Sequence, residues 1–182
     1  MTSSNQRAFP TRFISILIVA GLAVALFMFL RSGNSTSHLK AKVDRQPVHD
    51  FTVSTLAGKQ WQLSAHKGQV VLINVFATWC PPCNAEMPNL VKLSTEYAAK
   101  GVETMALSVD EGGPDLVKKF VDKYQIPFPV AMADTNNPVT SGVTGIPVTI
   151  LIDREGKSAS MYVGMISEDA VRHDFDSLLA EK

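Results

Sequence analysis

"VVLINVFATWCPPCNAEMP", Val70 to Pro88, contains both cysteines of the 182-residue chain. Its opening, Val70 to Phe76, is a continuous run rich in β-branched residues, the pattern of a strand covered on both faces. From Pro81 to Lys100 the apolar spacing becomes helical. Cys80 and Cys83 therefore stand at a strand-to-helix junction, separated by two prolines. A pair so placed can be a structural staple, half of a metal site, or a redox centre.

The chemistry of each reading separates them. Structural zinc takes four ligands, but a second CxxC is absent and His38, His49, His66 and His173 are scattered without ligand spacing. Asn84 follows Cys83, so the haem-attachment pattern CxxCH is absent too. A cuprous ion needs fewer soft ligands, and copper carriage stays open. A staple gains stability by closing a long loop in the unfolded chain, and this loop is close to the shortest possible. The redox reading gives every part a task. Backbone N–H groups and the dipole at a helix N-terminus stabilise an anion, which lowers the pKa of the first thiol. Cys80 is thus expected to be the exposed nucleophile. Cys83, half buried one turn on, resolves the mixed disulfide. Pro81 and Pro82 suit the first turn, where their missing N–H groups would be unpaired anyway. Pro88, inside the helix, is expected to kink it.

Outward from the pair, Ala57-Gly58-Lys59 separates two short alternating runs, a hairpin signal. Strands are expected at Val102–Val109, Val148–Ile152 and Ser158–Val163, and a short extended piece at Pro127–Met132. Helices are expected at Gly113–Tyr124 and Ser167–Ala180, the second capped by Ser167. Strands alternating with helices and ending in a hairpin make a mixed sheet, here expected to carry helices on both faces. Cys83, Glu86, Leu90, Leu93 and Tyr97 fall on one helical stripe, so the Glu86 carboxylate is expected to face inward. Burial would raise its pKa and let it exchange protons with the thiols.

The formal net charge is zero, but unevenly spread. Up to Arg45 there are six basic residues and one acidic; from Gln46 onward eleven basic residues face sixteen acidic ones. No basic stripe or RNA-reading motif is present, which excludes nucleic acid as a partner. Phe13 to Leu30, eighteen residues without a charge, is about the shortest helix able to cross a bilayer. A cleaved signal peptide is the rival reading. The run outlasts a usual signal core and continues as "LFMFL", which favours an anchor. Arg7 and Arg12 assign residues 1–12 to the cytoplasm. Residues 31–45 are polar and aperiodic and are expected to be a flexible tether. Residues 46–182 form the main domain.

"VVLINVFATWCPPCNAEMP" followed by "GIPVTILIDREGK" resembles the thioredoxin-like TlpA/ResA/CcmG type of membrane-anchored thiol–disulfide oxidoreductases. The resemblance implies an α/β fold: a thioredoxin-like mixed β-sheet flanked by helices, with an N-terminal β-hairpin and a central βα insertion. One N-terminal transmembrane helix precedes it. It also implies a reductant, with Cys80, Cys83 and Glu86 as catalytic residues and Cys80–Cys83 as the redox-active disulfide. Family members carry an acid where Glu86 stands. Asn74 occupies the position of the buried aspartate of ordinary thioredoxins and, being an amide, cannot carry its proton. Pro147 is implied to be cis and to pack against the cysteines. Ile146 and Pro147 would then line the client groove, with Trp79 partly exposed at its rim. Implied partners are a disulfide-bearing protein client, such as apocytochrome c or a copper-site assembly protein, and a membrane thiol carrier upstream. The bilayer contacts residues 13–30. No cofactor and no metal are expected. The implied site of action is the outer side of a bacterial cytoplasmic membrane, facing periplasm or exterior. A copper(I) carrier and a disulfide-introducing oxidase are the alternatives, although the oxidase usually carries a larger helical insertion.

Overall fold

The computed structural model describes residues 38–133 and 136–181. The expected anchor at 13–30 and the first part of the expected tether, 31–37, lie outside the described residues. Among the described residues no helix is long and apolar enough to cross a membrane.

The strands are β1 (Gln46–Pro47), β2 (Thr52–Ser54), β3 (Gln60–Gln62), β4 (Val70–Phe76), β5 (Val102–Ser108), β6 (Val130–Met132), β7 (Val148–Ile152) and β8 (Lys157–Val163). Three helices, α1 (Pro81–Ala98), α2 (Pro114–Tyr124) and α3 (Glu168–Ala180), lie among them. Six strands form one sheet in the order β1-β8-β7-β4-β5-β6, and β2 pairs with β3 as the expected hairpin. Central β4 runs parallel to β5 and antiparallel to β7, so the sheet is mixed as expected. Between β5 and the closing β7–β8 hairpin, α2 and β6 supply the central βα segment.

All seven residues of β4 are buried, polar Asn74 among them, as a strand covered on both faces requires. Side chains alternate between faces along a strand. Val70, Leu72 and Phe76 join a core cluster with the buried residues of α1, α2 and α3. Val71, Ile73 and Val75 join a second cluster with Phe51, Val53 and Trp61 around the hairpin. The same alternation sends Asn74 toward the helices, level with Thr149 on β7.

Two expectations need correction. Helices were expected on both faces, but all three pack into one cluster, and the β2–β3 hairpin covers the other face. An apolar stripe tells that a helix needs a sheet face, without telling which one. The tether was expected to reach Arg45, yet that residue is 4% exposed. Its guanidinium donates to Asp153 at 3.1 Å and to both carboxylate oxygens of Glu181 at 2.7 and 2.6 Å. Lys40 N–H also donates to the Ala159 carbonyl at 2.8 Å, so the chain is docked at β8 before β1 begins. Local polarity concealed this, because the partners of Arg45 lie 108 and 136 residues downstream.

Candidate active site

Cys80 is the N-cap of α1, with extended backbone angles, and Pro81 and Pro82 occupy the first turn. Its Sγ receives the Cys83 N–H at 3.2 Å, the contact that the helix terminus was expected to provide. Cys80 and Cys83 are joined as a disulfide, with Cα atoms 5.3 Å apart. Cys80 is 2% exposed and Cys83 0%, so neither the expected exposure of the first nor the half-burial of the second holds in this oxidised form. That expectation rested on helix position alone. It did not count the segment opposite, whose Ile146 carbonyl oxygen lies 3.8 Å from the Cys80 Sγ. The Ile146–Pro147 bond is cis, in agreement with the resemblance. Pro147 is buried, and Ile146 is half-buried beside it. Trp79, in contrast, is 67% exposed next to Cys80.

The loop leading to Cys80 is braced from two sides. Thr78 donates its backbone N–H and its hydroxyl to the Asp110 carboxylate at 2.9 and 2.6 Å. The Asn84 amide donates to the carbonyls of Thr78 and Cys80, 2.9 Å each, and accepts the Tyr124 hydroxyl at 2.9 Å. Sequence reading missed Asp110, Asn84 and Tyr124, because nothing local links residues 32 and 40 positions apart.

Glu86 faces inward as its stripe predicts and is 2% exposed. Oε1 accepts Asn74 Nδ2 at 2.9 Å, and Oε2 accepts the Ile166 N–H at 3.1 Å. Burial raises the pKa of this carboxyl above the ordinary range, and the two hydrogen bonds oppose that rise without cancelling it. Asn74 Nδ2 also donates to Thr149 Oγ1 at 3.0 Å. Thr149 escaped sequence reading, although a lone hydroxyl within the apolar run "PVTILI" was a signal available to it. Among the described residues no group of three or more His, Cys, Asp or Glu side chains is arranged to hold a metal ion.

A dithiol at a helix N-terminus, facing a cis-proline and backed by a buried acid, can exchange disulfides. The family model for Redoxin matches residues 44–179, most of the chain. The chain belongs to the Redoxin family. The Redoxin domain is 38% identical over 148 residues to the thiol-disulfide oxidoreductase ResA of Bacillus thuringiensis subsp. konkukian, covering 80% of this chain and 82% of that protein. Similarity to ResA of Halalkalibacterium halodurans is 32% over 171 residues, spanning 93% of this chain and 96% of the relative. Among solved structures, a thiol:disulfide interchange protein of the thioredoxin family from Chlorobium tepidum aligns with a TM-score of 0.68 at 30% identity. That alignment covers 77% of this chain and all of the other. This Redoxin domain is a thiol–disulfide oxidoreductase with a thioredoxin-like fold, and Cys80–Cys83 is its CxxC pair.

Proposed function

We propose that the protein is a reductant of client disulfides, held by residues 13–30 in a bacterial cytoplasmic membrane with its Redoxin domain outside. The observation that carries the direction of electron flow is the buried carboxyl of Glu86, one helical turn beyond Cys83. Once ionised, its charge opposes a thiolate nearby; while protonated, it can supply a proton to the departing sulfur. A dithiol whose thiolate is poorly stabilised gives up its electrons more readily, which suits a reductase and not an oxidant.

The Cys80 thiolate attacks one sulfur of the client disulfide, forming a mixed disulfide and releasing the other client sulfur as a thiolate, which takes up a proton. Cys83, deprotonated, then attacks the Cys80 Sγ. That breaks the mixed disulfide, frees the second client thiol, and leaves the Cys80–Cys83 bond seen here. Two electrons pass to the client and two protons accompany them. A membrane thiol carrier restores the dithiol. Exposed Trp79 and the Ile146–Pro147 segment supply the rim on which an extended client chain rests. The clients that the resemblance supports are apocytochrome c or proteins that assemble copper sites.

Two expected results test this reading. Anchored protein keeps its N-terminus near Met1 and stays in the membrane pellet after carbonate extraction; a soluble form starting beyond Arg31 would refute the anchor. The Glu86→Gln variant removes the opposing charge, so the apparent pKa of Cys80 falls. The pH dependence of disulfide reduction shifts with it. The thiolate absorbance titration and the reduction assay are run on both proteins; coincident curves would remove Glu86 from the mechanism.

A further inference from the structure

Buried Asn74 carries an imbalance that the proposed cycle does not use. Its Nδ2 serves two acceptors, Glu86 Oε1 at 2.9 Å and Thr149 Oγ1 at 3.0 Å. Its Oδ1 is enclosed with no hydrogen-bond partner. Leaving a buried amide carbonyl unpaired is costly, and an apolar residue would have avoided that cost. The amide makes sense if its two ends are needed at different times.

Glu86 makes opposite demands in its two protonation states. The carboxylate only accepts hydrogen bonds, whereas the acid has an O–H to donate. A fixed donor serves the first state and clashes with the second. The amide end of asparagine is nearly symmetric in shape but has a donor on one side and an acceptor on the other. A half-turn about Cβ–Cγ puts Oδ1 where Nδ2 stood, within reach of both Glu86 Oε1 and Thr149 Oγ1. The acid then donates from Oε1 to Oδ1, and Thr149, whose hydroxyl both donates and accepts, donates to Oδ1 as well. The Ile166 N–H stays on Oε2 throughout. One amide atom is unpaired in either orientation: Oδ1 beside the carboxylate, and Nδ2 with its two N–H donors beside the acid.

We propose that Asn74 is a positioning residue that turns over with the proton of Glu86, with Thr149 reversing its hydroxyl in step. Both protonation states of the acid next to the cysteine pair are thereby hydrogen-bonded. An aspartate at position 74 would hold a second charge here; the amide adds none. Several other titratable groups lie on the elements around Glu86. On α1 these are Cys83, bonded to Cys80 at the N-cap so that neither titrates, and, further along the helix, Lys92, Glu96 and Tyr97. On β8 and α3 they are Tyr162 and Asp174, hydrogen-bonded together at 2.6 Å, with His173 beside Asp174. At the surface Glu168 is held by Lys92 and Arg172.

The inference rests on the reading of Glu86 as a proton-exchanging group, but its test follows the proton and not turnover. The full chain, oxidised and in detergent micelles, is labelled with 13C-glutamate and 15N-asparagine and titrated from about pH 3 to about pH 10. The Asn74 amide signal is identified by its loss in Asn74→Asp. The expected result is a common inflection of the Asn74 amide and the Glu86 carboxyl. The through-space contact from the Asn74 NH2 to the Thr149 methyl should change severalfold across it. An unchanged contact, an amide that does not follow Glu86, or a Glu86 that never changes state would each overturn the proposal. Asn74→Leu provides a second readout. It removes a charge-assisted bond from the carboxylate and a neutral one from the acid, so Glu86 should bind its proton about tenfold more tightly. A gain of about a hundredfold would mark a fixed donor serving the carboxylate alone, and would overturn the turning amide. If Glu86→Gln leaves disulfide reduction unaltered while the amide still turns, the catalytic reading fails and this one stands.

Discussion

The Cys80→Ser substitution is expected to slow disulfide reduction on the order of 10³-fold or more, the usual scale for losing a nucleophile. Cys83→Ala is expected to stop the cycle at its midpoint. Exposure cannot rank the two sulfurs, since both are covered in the disulfide. Position on the helix can. The Cys83 N–H points at the Cys80 Sγ from 3.2 Å, so the helix terminus stabilises negative charge on Cys80. A chromogenic aromatic disulfide offered to reduced Cys83→Ala should therefore leave one stable adduct per chain, on Cys80. With Cys80→Ser the same reagent should react far more slowly. Equal adduct formation by the two variants, with the label on Cys83 in the second, would reverse the assignment. Because the trapped species is a mixed disulfide, the same Cys83→Ala variant also captures the client.

Away from the redox site, Arg45→Ala is expected to destabilise the domain by about 3–5 kcal/mol, the cost of removing one partner from a buried ion pair. Arg45 and Asp153 are both buried, and Asp153 would keep only the backbone N–H groups of Glu155 and Lys157 on its other oxygen. The effect should depend on pH with a definite sign. Arg45 holds the Glu181 carboxyl below its ordinary pKa. A depressed folded pKa contributes stability above the unfolded value, and that contribution disappears as pH falls through the folded one. The gap between parent and variant in urea unfolding should thus be widest near neutrality and narrow in acid. The exposed Lys42–Glu155 pair, where two salt bridges hold the Glu155 pKa at about 2, is the control: Lys42→Ala should change little. A gap for Arg45→Ala no larger than that for Lys42→Ala would show that the buried cluster is not stabilising.

How far the sequence could be read follows from how local each signal was. Val70–Phe76 and Val148–Ile152 were legible to the residue, because short runs so rich in β-branched residues leave little choice of conformation. The inward face of Glu86 followed from helical spacing with Cys83 and Leu90, both within two turns. Asn74 was singled out only through the resemblance, as the amide where ordinary thioredoxins carry an aspartate, and its contact with Thr149 spans 75 positions and depends on β4 and β7 pairing in register. Arg45 was misplaced for the same reason, its neighbours being polar and its partners remote. The cover over Cys80 was missed because a backbone carbonyl, Ile146 O, has no sequence signature at all.

The docked stretch from Lys40 to Pro47 also determines where tension enters the domain. A pull on the chain upstream of His38 reaches the His38–Tyr162 ring contact and the packed Leu39, then the Lys40–Ala159 bond, the Arg45 ion pairs and the two-residue β1 ladder on β8. These contacts fasten to β8 beside the outer edge of the sheet, to Asp153 in the β7–β8 turn, and to Glu181 after α3. The load path therefore runs through the β1–β8 side of the sheet. The Ala77–Cys80 loop, carried by central β4 and braced by Asp110 just beyond β5 and, through Asn84, by Tyr124 of α2, is off that path. Mechanically the domain hangs by its edge, and the redox pair sits on the part that is not under strain.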